Sequence, residues 1–189
     1  MTRLEFESAY SRRKLADFID GQSTNQTKKF LKTFSCTRNA DVQDFLHNKA
    51  ITFERNLRAC TYLYVSNADK SVAAYITLGI KSLLTNGLSD ETIKFLDGYT
   101  SEMPSIPCYL IAQLGKSDEC KHKIGKFLLD DALNIIDNSQ NSLKGRFVLI
   151  DAVNNDKVIE FYKQNSFKVL ENDTSSKSIK MIKPYFESE

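Results

Sequence analysis

Apolar residues recur along this chain at two spacings, and the switches between them outline its elements. Val42, Phe45, Leu46, Ala50, Phe53 and Leu57 lie three and four apart behind the cap-forming Asn39-Ala40-Asp41, which predicts an amphipathic helix packed on a sheet. Thr61–Ser66 and Ser71–Ile80 are β-rich runs separated by Asn67-Ala68-Asp69-Lys70, the pattern of a hairpin. Between Leu84 and Met103 come a turn at Asn86-Gly87, a short capped helix from Ser89 to about Leu96 and a break at Gly98. Ile106–Gly115 reads as a strand. Glu119–Asn138 reads as the longest helix, with Ile124, Phe127, Leu128, Ala132, Leu133, Ile135 and Ile136 mostly on a buried face. Phe147–Ala152, Val158–Gln164, Phe167–Leu170 and Ile179–Ile182 follow as strand, helix, strand and strand, with a hairpin tip at Asp173–Ser178. Upstream, Arg12–Ile19 and Gly21–Thr27 have loop or helix-start composition, and Phe30–Cys36 predicts a short strand.

This order implies the α/β class: a mixed antiparallel and parallel twisted sheet with helices on both faces. The strand at Cys108 and the strand at Phe147, joined through one long helix, are expected to be parallel with a right-handed crossover. Ligands collect at the carboxyl ends of such strands. A length of 189 residues fits a single domain over 1–189 with a sizeable core.

Composition narrows the function classes. Hydrophobic residues at 41% and charged residues at 26% are ordinary globular usage. A formal charge of +2 is too small to argue for nucleic acid by itself. No apolar run approaches the roughly 18–20 residues that span a bilayer, and Met1–Glu7 has no apolar signal core, so no membrane association and a cytoplasmic location are expected. Cys36, Cys60, Cys108 and Cys120 form no C-x-x-C pair, and with only His47 and His122 besides, neither a metal site nor a disulfide framework is predicted. Cys60 and Cys108 sit in apolar strand contexts and read as small core residues. Cys120 lies among Lys116, Lys121, His122 and Lys123, where positive charge favours a thiolate.

The chemistry concentrates in the second half. Strand Ile106–Gly115, the basic turn around Cys120-Lys121-His122-Lys123-Ile124-Gly125 and the helix behind it outline a phosphate cradle, because the first amides of a helix have no internal acceptor and stand at the positive end of its dipole. About thirty residues on, Phe147–Asn155 and Val158–Phe167 form a second strand–helix unit.

These two segments resemble the GNAT superfamily of acetyl-CoA-dependent N-acetyltransferases. Cys120–Gly125 is similar to the family's pyrophosphate loop, Gln/Arg-x-x-Gly-x-Gly/Ala, with Cys120 in place of Gln or Arg, Lys123 in place of the first Gly, and Gly125 retained. Asn155 and the run Phe161–Phe167 are similar to Asn-x-x-Ala-x-x-Phe-Tyr-x-x-x-Gly-Phe, with Ser166 where Gly is usual. The likeness covers roughly residues 60–183, and the upstream segments look like the bacterial, phage and toxin-like subgroup.

The resemblance implies a GNAT fold, acetyl-CoA as co-substrate, and transfer of an acetyl group to a primary amine. It implies phosphate binding by the backbone of Lys121, His122, Lys123, Ile124, Gly125 and Lys126, and a strand whose backbone near Gln113 and Leu114 pairs with the pantetheine arm and faces the thioester oxygen. Tyr162 would be the acid toward the CoA thiolate, and Asn155 would cap its helix and touch the pantetheine. The acceptor stays open between a small molecule, a protein and an aminoacyl-tRNA, as in the toxin-like variant. A homodimer and a non-catalytic CoA-binding module also stay open. Glu54, Asp151 and Tyr75 are candidate bases, each with a plainer structural role, and a water chain is an alternative. Leu84–Met103 is expected to border the acceptor entrance.

Overall fold

The computed structural model describes residues 1–171 and 177–186, so most of the hairpin tip expected at Asp173–Ser178 lies outside the described residues. Among these residues the order is α1 (Arg3–Ala9), β1 (Tyr10–Lys14), α2 (Leu15–Gly21), α3 (Thr24–Leu31), α4 (Ala40–Asp44), a π-helical turn (Phe45–Lys49), α5 (Ala50–Arg55), β2 (Cys60–Ser66), β3 (Val72–Leu84), α6 (Asp90–Asp97), β4 (Ser105–Lys116), α7 (Gly125–Gln140), β5 (Phe147–Val153), α8 (Asp156–Lys163), β6 (Lys168–Val169) and β7 (Ser178–Pro184). The strands follow the order β1-β2-β3-β4-β5-β7-β6 in one mixed sheet, as the α/β reading expects. The β4–β5 pair is parallel, with Tyr109↔Val148 to Ile111↔Ile150 in register. The chain forms two compact units, Met1–Gly79 with Ala112–Asp137 and Ile80–Ile111 with Asn138–Glu189.

In the first unit, β1 pairs antiparallel with β2, and β2 with β3. Its core joins Leu15, Leu31, Phe34, Leu46, Leu63 and Tyr75, each at most 1% exposed, and burying side chains of this size stabilises by about 1.5–3 kcal/mol apiece. Gly115 lets β4 lie close to that core, because a Cβ there would come within 2.6 Å of the Tyr75 ring and of Val42. Asp131 of α7 is buried at 2% exposure, and its carboxylate accepts hydrogen bonds from Arg3 Nη2 at 2.5 Å and the Tyr64 hydroxyl at 2.7 Å. Arg12 Nη1 stands 3.4 Å from the same group. One carboxylate thus fastens α1, β1 and β2 to α7.

In the second unit, β5 is buried through Phe147–Ile150 and pairs antiparallel with β7 from Phe147↔Pro184 to Val153↔Ser178. Gly98 ends α6 in the left-handed conformation, and the Arg146 guanidinium donates to the Leu96 and Phe95 carbonyls at 2.8 and 3.3 Å, satisfying groups the helix leaves open.

Five sequence expectations are corrected. Phe30–Cys36 is not a strand: α3 runs through Leu31, started by a capping box between Ser23 and Gln26, and its fully buried Thr27 and Leu31 are four apart on one face. The polar stretch from Arg12 holds a strand and a helix. β1 shows no alternation because only Tyr10 among its five residues is buried. Leu57 leaves the helix face, at φ 54° and 94% exposed. Cys60 is exposed, at the mouth of β2, while Cys108 is buried as expected. Finally, α7 starts at Gly125 and not at Glu119. No helix among the described residues is long and apolar enough to cross a membrane.

Replacing Asp131 with Ala removes the acceptor that Tyr64 and Arg3 share. Arg3 and Arg12 remain 41% and 44% exposed and can be rehydrated, so the expected loss is about 2 kcal/mol, set by the buried tyrosine hydroxyl and the charged hydrogen bonds. A urea titration measures it as a lower midpoint at unchanged slope.

Candidate functional site

Within the first unit, β4 runs on past Ile111 through residues 112–116, beyond its register with β5. Gln113 and Leu114 lie in this stretch and are half-buried. The Tyr75 hydroxyl donates to the Val42 carbonyl at 2.6 Å, with Gln113 Oε1 3.5 Å away. Burial pushes that phenol well above its ordinary range, so Tyr75 is a core aromatic rather than a base.

After β4 the chain turns through 117–124 before α7 begins. The turn is fastened at its start. Ser117 N–H donates to the Ala73 carbonyl and Asp118 N–H to the Ser35 carbonyl, both at 2.8 Å. The Asp118 carboxylate accepts from the Thr37 amide and hydroxyl at 2.7 and 2.8 Å, which together with Arg38 holds its pKa below the ordinary carboxylate value. These bonds fix where the chain leaves β4.

The segment that follows has the opposite character. Among the described residues no amide from Lys121 to Phe127 donates a hydrogen bond, and the first amide of α7 to do so is Leu128, to the Ile124 carbonyl at 3.1 Å. Ile124 is fully buried and fixes the helix start from below, while Lys121, His122, Lys123 and Lys126 are exposed and Gly125 is half-buried. Open amides at the head of a helix, with basic side chains around them, bind anions. Not every cation points outward: the Lys116 ammonium donates to the Cys120 carbonyl, and that of Lys121 reaches the Asp118 carbonyl at 3.4 Å.

Cys120 is buried at 6% exposure, with its Sγ 3.3 Å from the Tyr10 hydroxyl, which also lies 2.7 Å from His122 Nδ1. Nothing in the periodicity of the N-terminal segment marks Tyr10 as a partner of this turn.

In the second unit Asn155 and Tyr162 lie on one helix. Asn155 is the N-cap of α8, its side chain accepting from the Lys157 amide at 3.1 Å. Tyr162 is 8% exposed, its ring 5.1 Å from Phe161 and 5.5 Å from Phe167. Burial pushes its phenol up to about 12, so it keeps its proton throughout the neutral range. Ser166 has φ 67°, which explains why glycine suits this position. Ser166 N–H donates to the Lys163 carbonyl and Phe167 N–H to the Tyr162 carbonyl, both at 3.0 Å, a Schellman ending whose apolar contact is the Tyr162–Phe167 ring pair. The helix stop and the packing of Tyr162 are therefore one feature.

The other candidates are placed plainly. Glu54 accepts the Thr61 amide at 2.8 Å, and burial raises its carboxyl above the ordinary value. Asp151 pairs with Lys81 at 3.0 Å. In the segment Leu84–Met103 both glycines have positive φ, Gly87 in the turn and Gly98 as helix cap, and the Thr85 hydroxyl donates to the Met103 carbonyl at 2.6 Å.

No protein-family model matches the chain, and no curated protein matches it significantly. Solved structures do. A Tyr-to-Phe mutant of KacT aligns at a TM-score of 0.71 and 14% identity over 93% of this chain and 95% of that one. AtaT complexed with acetyl-methionyl-tRNAfMet aligns at 0.68 and 18% identity over 93% and 94%. AtaTR bound with AcCoA aligns at 0.66 and 18% identity over the same shares. At this identity the likeness establishes the fold, which is the GNAT fold.

Ser166→Gly removes a left-handed side chain and leaves both Schellman bonds in place, so it should stabilise the protein by about 1 kcal/mol. Thermal unfolding of the two proteins side by side checks this; a lower midpoint for the glycine variant would contradict the account of the helix stop.

Proposed function

We propose that this chain is an acetyl-CoA-dependent N-acetyltransferase whose acceptor is the α-amine of an aminoacyl-tRNA. The observation that carries the cofactor half is the run of unbonded amides from Lys121 to Phe127, with exposed Lys123 and His122 beside it. A diphosphate suits such a turn, since its oxygens accept several N–H bonds at once and its charge complements the helix dipole. Acetyl-CoA supplies an activated thioester, so the protein's contribution is to position, to stabilise developing charge and to donate a proton.

In this reading the backbone near Gln113 and Leu114, in the part of β4 beyond the β5 register, accompanies the pantetheine arm and donates toward the thioester oxygen. Asn155 caps α8 and touches the pantetheine. Tyr162 gives its proton to the departing thiolate, a role supported by a buried phenol that stays protonated at neutral pH. No side chain is assigned as base. The segment Leu84–Met103 borders the acceptor entrance.

The acceptor half draws on the structural neighbours. AtaT has been solved with acetyl-methionyl-tRNAfMet, and an AtaT mutant toxin with the C-terminus of the antitoxin AtaR and acetyl-CoA. By that analogy this chain acts on charged tRNA and pairs with a protein antitoxin.

Gly125→Val places branched bulk where phosphate approaches and should weaken acetyl-CoA binding tenfold or more by titration calorimetry, about 1.4 kcal/mol. Unchanged affinity in a folded variant would remove the turn from the cofactor site. Incubation with acetyl-CoA and a pool of aminoacyl-tRNAs should yield N-acetylated aminoacyl ends by mass spectrometry. Tyr162→Phe should lower that rate by about 10- to 1000-fold with little change in acetyl-CoA affinity. Acetylation of free amines or peptides, with none on tRNA, would overturn the acceptor assignment.

A further inference from the structure

The open amides of 121–127 exist only while the turn before them stays out of the helix. The apolar spacing of Glu119–Asn138 is compatible with helix, so a competing conformation is available in which α7 extends backward to Glu119. In that conformation the amides of residues 123–127 would bond to the carbonyls four residues earlier and would no longer be open. Ser117 and Asp118 are fastened upstream of the run, and Ile124 is buried in its middle. The Cys120 backbone is bonded locally, its amide to the Ser117 carbonyl at 3.2 Å and its carbonyl to the Lys116 ammonium, and what ties the Cys120 and His122 side chains together is a side chain from the other end of the sequence. Tyr10 is 8% exposed, ends α1 by donating its amide to the Phe6 carbonyl, packs its ring 5.5 Å from that of Phe6, and places its hydroxyl 3.3 Å from Cys120 Sγ and 2.7 Å from His122 Nδ1.

We propose that Tyr10 is the positioning residue of the diphosphate-binding turn: its hydroxyl, bonded to Cys120 and His122 together, keeps the turn in the conformation that leaves its amides open. The inference rests on the acetyl-CoA reading above. Donor counting supports the arrangement. A phenol has one proton to give and lone pairs to receive, so with a neutral imidazole protonated at Nε2 the Tyr10 proton goes to Nδ1, and the Cys120 thiol donates to the Tyr10 oxygen at 3.3 Å, nearer than its other acceptor, the His122 carbonyl at 3.9 Å. That leaves the Nε2–H of the exposed His122 ring as a further donor beside the open amides. The arrangement also accounts for the residue at 120. Where the resemblance leads one to expect Gln or Arg, a small buried thiol fits against the tyrosine and serves the turn through its shape and its bond.

The test is Tyr10→Phe in the full chain, which keeps the ring against Phe6 and removes only the hydroxyl. By calorimetry the variant should bind acetyl-CoA about tenfold more weakly than the wild type. S-acetylpantetheine, which lacks the diphosphate, should compete with equal strength on both proteins, a distinction that general loosening of the fold would not make. His122→Ala added to Tyr10→Phe should cost much less than it does alone. Amide hydrogen exchange, which needs no ligand, should show residues 123–127 becoming more protected in Tyr10→Phe as the helix extends. Equal weakening toward both ligands, unchanged affinity for acetyl-CoA, or additive losses would each overturn the role of Tyr10 alone. A wild type that binds no acetyl-CoA would remove the cofactor reading and this inference with it.

Discussion

A carboxylate is not buried without compensation, and Asp131 is the place where the first unit meets that requirement. Tyr64, Arg3 and Arg12 converge on it from β2, α1 and β1, so the same charge that needs neutralising decides where the N-terminal elements lie against α7. The rest follows from that attachment. Phe6 stacks on Phe127 at 4.9 Å, and Tyr10, one residue past the end of α1, reaches the turn that precedes α7. Arg3 is also held by Glu7 at 2.7 Å, so α1 is braced from its own first turns.

The turn shows how a fold presents unsatisfied groups without instability. Amides that reach the surface at a helix start lose little, since water or a ligand can accept from them, whereas buried ones would each cost on the order of 1–3 kcal/mol, and within the run Ile124 alone is fully buried. The chain keeps Lys121–Lys123 and Lys126 at the surface and anchors the turn through groups that face inward: Ile124, Cys120 and the amides of Ser117 and Asp118. Lys116 and Lys121 donate to backbone carbonyls of the turn and Lys126 pairs with Asp130, which leaves Lys123 as the cation, and His122 as the further side-chain donor, best placed to meet an anion. In the second unit the helix stop at Ser166 fixes the C-terminal turn of α8, and with it the packing of Tyr162 against Phe167.

Much of this is legible in the sequence because it is local. Periodicity marks α7, β5 and the β2–β3 hairpin, and the N-cap at Asn155 and the break at Gly98 are written in single residues. The two motifs, Cys120–Gly125 and Asn155 with Phe161–Phe167, point to the GNAT fold by themselves. What is not legible depends on partners distant in sequence. The Phe30–Cys36 segment has strand composition, yet the Ser23–Gln26 capping box and the burial of Thr27 and Leu31 commit it to helix as far as Leu31. The turn before α7 is fastened by Ala73, Ser35 and Thr37, none of which is near it in the chain. Pattern cannot join Tyr10 to Cys120 and His122 across 110 residues, since β1 is short and polar apart from that one side chain. Ser166 carries a signal that can be read: a residue standing where glycine is usual marks a left-handed position.

The central claim is that the amides from Lys121 to Phe127 are the diphosphate contacts of acetyl-CoA, and amide-resolved NMR during an acetyl-CoA titration tests it most directly. The account predicts that these resonances shift downfield together and saturate with a single affinity, as N–H groups acquiring charged acceptors do. Saturable binding that leaves the resonances of 121–127 unmoved would contradict it.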